Sequence, residues 1–313
     1  MISFFVKHLS TYLITLIGIL LLTFLLLHVL PGGPFDAERA LPAEIKTQLY
    51  QKYGLHEKGN DSFLVWVLKD LKSYTLYLAH GELGPSLKYK DRDVGKIILK
   101  AMGPSLQLGF AALILSLILG IILGLIMVGT QNAWLGKTIS WFNTLGLSTP
   151  SFITGITLIL IFSIFLRWLP PALWEGWRFF ILPALTLSLG PVAMMAELTA
   201  ASLKEELKKD YLRTALAKGL TPKKIIAKHA LKNAAFPMLT FIGPLAAHFI
   251  TGSFIVETMF AIPGLGRHFV ASVIDRDMFL VMGLTLTFAV ILMTMNFLVD
   301  VGYGFLDPRV KKR

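Results

Sequence analysis

The residues with the most distinct chemical character form one basic stretch, residues 210–233, with the sequence DYLRTALAKGLTPKKIIAKHALKN. It lies between two long apolar runs. The basic residues in and just before it are Lys204, Lys208, Lys209, Arg213, Lys218, Lys223, Lys224, Lys228 and Lys232. The acidic residues there are Glu205, Glu206 and Asp210. Two interpretations follow: a soluble protein binds the chain here, or this is an ordinary helical loop whose charge fixes its side of the membrane.

The stretch is predicted to fold as a helix, a glycine turn and a second, shorter helix. Residues 204–218 contain few helix breakers, which predicts one continuous helix. Gly219 ends that helix, because glycine readily takes the left-handed conformation found at helix C-termini. Thr221 is a predicted N-cap, and Pro222 fits the first helical position. In the second helix, four residues share one face: Ile225, Ile226, His229 and Ala230.

Several kinds of chemistry find no support in the sequence. There is no cysteine, which excludes a thiol catalyst, a cysteine metal site and disulfides. No glycine-rich Lys-Ser/Thr loop for nucleotide phosphates is present, and no His/carboxylate cluster has metal-ligand spacing. Aromatic and basic residues do not interleave as on a nucleic-acid platform, and no Ser/His/Asp set stands out.

Composition places the chain in a membrane. Of its 313 residues 55% are hydrophobic and only 16% are charged, and the mean hydropathy is +0.67. The net charge of +11 sits mostly in loops beside apolar runs, as topology requires. Six membrane spans are predicted, near residues 11–30, 106–128, 138–166, 179–196, 235–256 and 278–299.

An even number of spans puts both termini on one side, and the basic loop and tail identify that side as the cytoplasm. The first apolar run is long enough to span and lacks a small-x-small cleavage site, so we expect it to be retained. Between the first two spans lies a polar segment, within which residues 44–53 and 62–77 are predicted amphipathic helices. This segment is either a packed cap or a docking surface.

Some features inside the spans suggest contacts or a pathway. Gly120 and Gly124 form a small-xxx-small pair, which allows another helix to approach closely. A proline in mid-span produces a kink and is tolerated where neighbours or a cavity satisfy the backbone. A histidine within a span is either a functional residue or an interhelical hydrogen-bond donor. The candidates for kinks or pathway lining are Pro150, Ser151, Pro191, Pro244 and His248.

The stretch from Val256 to Gly266 is predicted to be a re-entrant or surface turn outside the cytoplasm. Its Pro-Gly pair reverses the chain, and Phe260 and Leu265 anchor it. The charged residues just after it, including Asp277, are expected to stay in water.

Two of these segments together resemble one protein family. Tyr-x-Arg-Thr-Ala-x-Ala-Lys-Gly followed by His-Ala-x-x-Asn is similar to the cytoplasmic loop of ABC importer permeases in the oligopeptide, dipeptide and nickel branch. The loop residues that the resemblance implicates in coupling to an ATPase are Asp210, Tyr211, Arg213, Thr214, Ala215, Ala217, Lys218, Gly219, Ile225, His229 and Asn233. The branch's second signature, Glu-Thr-x-Phe-x-x-Pro-Gly-Leu-Gly, is represented by Glu257, Phe260, Pro263, Gly264 and Gly266. The sequence departs from the branch at Glu197 and Ala200, where arginines are usual.

The resemblance covers the whole chain and implies an all-α integral membrane protein with six transmembrane helices and a MetI-like ABC permease fold. It implies residues 1–34 as N-terminus and first span, 35–100 as extracytoplasmic segment, and 101–313 as core permease domain with a coupling loop at 201–234.

The implied function is that of the first of two membrane subunits of a peptide importer in the bacterial cytoplasmic membrane. The implied partners are a second permease subunit, two ABC ATPase subunits and an extracytoplasmic substrate-binding protein. The chain itself is expected to bind no cofactor and to catalyse no reaction, with ATP and Mg²⁺ on the ATPases. A nickel importer is an open alternative. An ion-coupled secondary transporter is another, although the span centres lack carboxylates and offer only His248. The missing catalytic constellation disfavours a membrane-bound enzyme.

Overall fold

The computed structural model describes residues 2–30, 32–35, 42–57, 61–89, 91–221 and 224–306. Pro222, the predicted first residue of the second loop helix, lies outside these ranges. So do residues 307–313, which contain the basic tail. The described part of the chain is helical, with only an isolated bridge between Pro85 and Asp93.

The helices are α1 (Ile2–Val29), α2 (Ala43–Lys52), α3 (Phe63–Ala79), α4 (Val94–Gly129), α5 (Ala133–Ser148), α6 (Ser151–Leu158), α7 (Arg178–Glu206), α8 (Asp210–Ala217), α9 (Leu231–Ile250), α10 (Phe254–Met259), α11 (Leu265–Ile274) and α12 (Met278–Leu306). Two π-helical segments, Ile159–Phe165 and Ile225–Ala230, continue α6 and lead into α9. Helices α2 and α3 confirm the two predicted between the first spans, and the Ser62 hydroxyl caps α3 by accepting from the Val65 N–H.

Within the described ranges, five helical stretches are long and apolar enough to cross a membrane. They are Ser10–Val29, Val94–Gly129, Arg178–Glu206, Lys228–Met259 and Met278–Val299. A sixth apolar segment consists of the pair Ala133–Ser148 and Ser151–Phe165, which are bent by 112° at their junction. The six predicted apolar segments are therefore present, but the third is broken and not simply kinked.

The break in the third segment has a local cause. Thr149 has extended backbone angles, φ −94° and ψ 121°, and its N–H closes the last turn of α5 on the Leu145 carbonyl at 2.9 Å. The residue before a proline is driven out of the helical region by the proline ring, so Pro150 fixes Thr149 in this conformation. Pro150 then precedes the first residue of α6.

The chain divides into two units. The first comprises Met1–Gly103 and Pro263–Met293. Its core includes Phe24 of α1, Tyr74 of α3 and Phe279 of α12. Beside this core, the buried carboxylate of Asp70 lies 3.1 Å from Nε2 of His28 and 2.8 Å from Nδ1 of His56.

Asp277, in the same unit, corrects a prediction. Its side chain is not in water but 0% exposed. Oδ2 accepts from the Ser86 hydroxyl and from the backbone N–H of Leu87 at 3.0 Å, while Oδ1 accepts from the Leu280 N–H at 3.1 Å and so caps α12. This burial could not be predicted, because Asp277 stands among charged residues and two of its hydrogen-bond donors lie on a loop that is distant in the sequence.

The second unit comprises Pro104–Ile262 and Thr294–Arg313. Its helices pack closely where the sequence predicted an approach. A Cβ on Gly120 would lie 2.9 Å from the Val192 carbonyl oxygen, and one on Gly124 would lie 2.7 Å from that of Ala196. The two glycines of α4 thus let the backbone of α7 come close, which confirms their predicted role in packing.

Of the predicted re-entrant or surface turn at 256–266, residues 260 and 261 form a turn, but the surface alternative is wrong for the first residues of the stretch. Residues Phe254–Met259 form a short helix, and the Glu257 carboxylate is fully buried, accepting from the Ser105 hydroxyl at 2.7 Å. Phe260 is also buried, as predicted for an anchor, and its carbonyl accepts from the Leu173 N–H at 2.9 Å. In the first unit, Gly264, Leu265 and Gly266 are buried and Pro263 is exposed. A carboxylate this deeply buried has to be hydrogen-bonded, which the pattern of residue types could not reveal.

Candidate functional site

The basic stretch forms a compact arrangement of helices at the end of α7. The prediction of one helix over residues 204–218 is wrong, because α7 ends at Glu206 and α8 begins at Asp210. Between them Leu207–Lys209 form a turn, in which the Lys209 N–H bonds to the Glu206 carbonyl at 3.1 Å. The side chain of Glu206 bonds to residues on the far side of this turn.

Glu206 is only 5% exposed, and both of its carboxylate oxygens have partners. Oε2 accepts from the Lys209 ammonium at 2.6 Å. Oε1 accepts from the Tyr211 hydroxyl at 2.5 Å and from the Asn233 amide at 3.1 Å. The Asn233 amide also donates to the Tyr211 oxygen at 2.9 Å, which closes a triangle of three side chains. We call Glu206, Tyr211 and Asn233 the polar joint.

Hydrogen bonds to the Glu206 carboxylate favour the protonated forms of Tyr211 and Lys209. Burial and the hydrogen bond to Glu206 raise the pKa of the Tyr211 hydroxyl. The hydrogen bond to Glu206 also raises the pKa of the Lys209 ammonium. Both groups therefore remain protonated, and able to donate, throughout the physiological pH range.

Helix α8 is attached on one face and free on the other. Leu212 is 3% exposed and packs in a core with Met195, Leu203 and Ala234. The half-buried Ala215 packs against the same core. The opposite face is exposed and carries most of the predicted coupling residues: Asp210, Tyr211, Arg213, Thr214, Ala217, Lys218 and Gly219. Arg213 and Asp210 form an exposed ion pair at 3.5 Å.

Gly219 ends α8 as predicted, with φ +82°. The Gly219 N–H bonds to the Leu216 carbonyl at 2.9 Å, and the Leu220 N–H reaches the Ala215 carbonyl at 3.3 Å. This pair of bonds is the Schellman motif, which requires a left-handed residue at this position. A Cβ at Gly219 would meet no atom within 4 Å, so the restriction there comes from the backbone and not from crowding.

The second loop helix is π-helical over Ile225–Ala230 before it becomes α9. Ile225 is buried and its N–H bonds to the Thr221 carbonyl at 3.0 Å, while His229 is half-buried. Asn233 follows on α9, with its amide in the polar joint. The structure thus brings the predicted loop residues Tyr211, Ile225 and Asn233 together at one end of the second unit.

The pathway candidates are not part of this arrangement. Pro150 and Ser151 lie at the break between α5 and α6, Pro191 is inside α7, and Pro244 and His248 are inside α9. In the isolated chain Pro150, Pro244 and His248 are exposed, and Ser151 and Pro191 are partly buried.

Sequence reasoning missed three residues that the structure makes prominent. Glu206 and Leu212 anchor the loop, and Glu197, noted only as a departure, accepts from the buried Asn143 amide of α5 at 3.0 Å. A leucine next to a predicted docking residue is a weak signal for an anchor. Nothing in the sequence distinguishes Glu206 from Glu205 beside it. Among the described residues, no group of three or more His, Cys, Asp or Glu side chains could hold a metal ion.

These features define a multi-pass, all-helical membrane protein with a structured basic loop between two spans. Residues 116–312 match the family described as "Binding-protein-dependent transport system inner membrane component", and the chain belongs to that family. It is a permease subunit of an ABC importer, and within the family it belongs to the oligopeptide/dipeptide/nickel branch.

Curated relatives match along the full length. The chain is 39% identical to the dipeptide transport system permease protein DppB of Bacillus subtilis (strain 168), over 99% of this chain and 98% of that protein. It is 36% identical to the oligopeptide transport system permease protein OppB of Salmonella typhimurium, over 99% and 100% respectively.

Solved structures share the fold. One, titled an inward-facing conformation of the MetNI methionine ABC transporter, has a TM-score of 0.55 at 16% identity, covering 67% of this chain and 96% of that chain. Another, titled an amino acid ABC transporter with histidines, has a TM-score of 0.52 at 17% identity, covering 66% and 92%. They confirm the expected MetI-like permease fold.

Proposed function

We propose that this chain forms half of a peptide pathway across the bacterial cytoplasmic membrane, and that residues 210–233 are the surface through which an ATPase drives it. The peptide assignment is supported by full-length similarity to permeases named for dipeptide and oligopeptide transport. A nickel importer would carry the same motifs, and an uptake experiment distinguishes it from a peptide importer.

One observation carries the coupling assignment: α8 presents an exposed, charged face while its other face is fixed to the protein. Leu212 anchors the helix, the Schellman motif at Gly219 sets its end, and the polar joint ties it to α7 and α9. A loop that served topology alone needs positive charge but no fixed shape. A rigid, charged helix projecting from two spans is suited to sit in a complementary groove and to transmit a displacement.

The remaining parts of the importer follow from this assignment. ATP and Mg²⁺ bind to two ATPase subunits that lie on the cytoplasmic side, with both termini of this chain. A second permease subunit completes the pathway, and Pro150, Ser151, Pro191, Pro244 and His248 are its candidate lining or hinge residues. Residues 35–100 face outward, where a loaded substrate-binding protein docks. Residues 101–313 form the core permease domain, with residues 1–34 as its N-terminal addition, and Glu257 to Gly266 stabilise its outer side.

A pull-down from detergent tests the coupling surface. The tagged chain is coexpressed with the second permease subunit and the candidate ATPases. We expect wild type to retain the ATPases and Arg213→Glu combined with Lys218→Glu to lose them, because both side chains lie on the exposed face of α8. The control is Lys52→Glu, one such charge reversal on exposed Lys52 of α2. Retention by the double variant at the wild-type level contradicts the assignment.

Uptake by the reconstituted importer tests the cargo. Radiolabelled di- and oligopeptides and Ni²⁺ are offered separately, with ATP or with an ion gradient alone. ATP-dependent peptide uptake supports the proposal, and ATP-dependent Ni²⁺ uptake alone replaces the peptide with the metal. Uptake by the isolated chain on an ion gradient overturns the ABC mechanism in favour of a secondary transporter.

A further inference from the structure

The buried carboxylate of Glu206 stands out in a loop that is otherwise exposed and basic. The neighbouring carboxylates of Glu205 and Asp210 are exposed, whereas Glu206 is 5% exposed. A buried carboxylate is strongly unfavourable unless it is hydrogen-bonded and paired with a cation. The protein supplies three hydrogen-bond donors for this one carboxylate, from Lys209, Tyr211 and Asn233, which indicates that the position has a specific task.

The partners of Glu206 come from each element of the loop. Glu206 is the last residue of α7, Tyr211 lies in the first turn of α8, and Asn233 lies in the first turn of α9. The hydrogen-bond directions are determined by chemistry. A carboxylate only accepts, so the Tyr211 hydroxyl donates to Glu206 and its oxygen is left to accept from Asn233. Each pair in the triangle is therefore joined by a hydrogen bond, and neither Tyr211 nor Asn233 can move away from Glu206 without losing a bond to its charged carboxylate.

Without the polar joint, α8 has little attachment. The helix has only eight residues, and Leu212 is its only buried side chain. Leu212 and the half-buried Ala215 attach only one face of this short helix to the core, and these two contacts alone do not fix its direction. The contacts at Tyr211, one residue earlier, fix its orientation relative to the inner ends of two spans, α7 and α9.

We propose that Glu206 is a positioning residue for the coupling of ATP hydrolysis to transport. Through Tyr211 and Asn233 it holds α8 to α7 and α9, so that the three helices move as one rigid body. This inference rests on the proposed coupling function of the loop. A displacement of α8 by the ATPase then reaches both spans together. When the polar joint is broken, the ATPase still binds the exposed face of α8. However, α8 then rotates about Leu212, and its displacement is not transmitted to the two spans.

The test uses the complete importer in proteoliposomes, with loaded binding protein outside and ATP available to the ATPases. Three quantities are measured for each variant: ATPase retained in the pull-down, ATP hydrolysed, and peptide taken up. The decisive variant is Tyr211→Phe, which removes one oxygen atom and keeps the ring. Glu206→Ala removes the centre of the joint, and Glu206→Gln keeps one oxygen acceptor but loses the charge.

We expect Glu206→Ala to retain the ATPase and hydrolyse ATP, while peptide uptake per ATP falls about tenfold, as for loss of one hydrogen bond to a charged group. Tyr211→Phe, which keeps the exposed ring and loses only the hydroxyl that bonds Glu206, should lower peptide uptake per ATP by a similar factor. Glu206→Gln should lose less, because its remaining oxygen still accepts from Tyr211. The double variant Tyr211→Phe/Glu206→Ala should be no worse than Glu206→Ala alone, since both remove the same interaction. The matched control, Glu205→Ala, changes an exposed carboxylate outside the joint and should keep the wild-type ratio.

Two results overturn the inference. In one, uptake per ATP in Tyr211→Phe and Glu206→Ala equals that of Glu205→Ala. In the other, ATPase retention, ATP hydrolysis and peptide uptake all fall in proportion to the thermal stability of the complex. That result would show that Glu206 has a purely structural role. Both leave the coupling proposal standing, because wild type still binds the ATPase. Failure of wild type to retain the ATPase through α8 is a different outcome, which removes the coupling proposal itself.

Discussion

The backbone N–H of Leu87 donates a hydrogen bond of 3.0 Å to Oδ2 of Asp277, a residue 190 positions further along the chain. Ser86 donates its hydroxyl to the same oxygen, and Oδ1 caps the first turn of α12. One buried carboxylate therefore fastens the loop after α3 to the start of the last helix. All of these contacts lie within the first unit.

Asp277→Ala should destabilise the first unit by about 3 kcal/mol, because it leaves the Leu87 N–H and the Ser86 hydroxyl without their acceptor and removes a helix cap. Asp277→Asn, with one acceptor oxygen instead of two, should lose about half as much. The matched control is Asp275→Asn, which breaks a partly exposed ion pair with Lys88 at 3.1 Å and should change stability by less than about 1 kcal/mol. Thermal unfolding in detergent measures all three. Equal effects at the two positions contradict the fastening role of Asp277.

Gly124→Ala should destabilise the packing of α4 on α7. Its new Cβ would lie 2.5 Å from Cβ of Thr199 and 2.7 Å from the Ala196 carbonyl oxygen, so α7 has to shift. Overpacking of this kind costs about 1–3 kcal/mol. Gly129→Ala, in the last turn of the same helix, would meet no atom within 4 Å and should be neutral or slightly stabilising. The thermal unfolding midpoints of the two variants are compared in detergent. Equal midpoints would contradict the close approach of α4 to α7 at Gly124.

Gly219→Val should weaken ATPase binding while membrane insertion stays intact. The backbone there has φ +82°, which a β-branched residue adopts only at a cost of about 1–3 kcal/mol. The Schellman end of α8 would therefore open. Gly219→Asn is the control, because asparagine tolerates this conformation and the site has open space around Cβ. The two variants are compared by pull-down of the ATPases and by ATP-driven peptide uptake. Normal uptake with the valine excludes a requirement for this turn.

Tyr74 should make the first unit sensitive to alkaline pH. Burial raises the pKa of its hydroxyl from 10.0 to about 12, and within the described residues that hydroxyl has no hydrogen-bond partner. The pKa of Tyr74 is higher in the folded protein than in the unfolded chain. The stabilisation that the neutral hydroxyl contributes is therefore complete below pH 10 and is lost as the pH rises from 10 to about 12. The loss is about 3 kcal/mol.

Tyr74→Phe should remove this part of the alkaline destabilisation and be no less stable than wild type at pH 7, since no hydrogen bond is lost. The measurements are the free energy of unfolding against pH and a spectrophotometric titration of tyrosinate. A wild type and variant that lose stability in parallel between pH 10 and 12 exclude Tyr74 as the cause.

The sequence by itself determined the membrane class, the six apolar segments, the two helices between the first two spans and the glycine turn at Gly219. Each of these depends on local properties: the length of an apolar run, helical periodicity, and the backbone preferences of glycine and proline. Those properties are the same wherever the segment lies in the fold, so they can be recognised without the fold. A kink at Pro150 was predicted for the same reason, whereas the full break, with its angle of 112°, depends on how the flanking helices pack.

Only the tertiary structure decided which polar side chains are buried and what they bind. Glu206 and Glu205 are chemically identical neighbours, and only Glu206 meets Asn233, 27 residues away. Glu257 meets Ser105 across 152 residues, and Asp277 was expected in water. A carboxylate is stable inside a protein only where donors from distant segments converge on it, and that convergence is set by how the helices pack against one another. The sequence predicted where the proposed coupling surface lies, and packing decided that Glu206 is the carboxylate buried beside it.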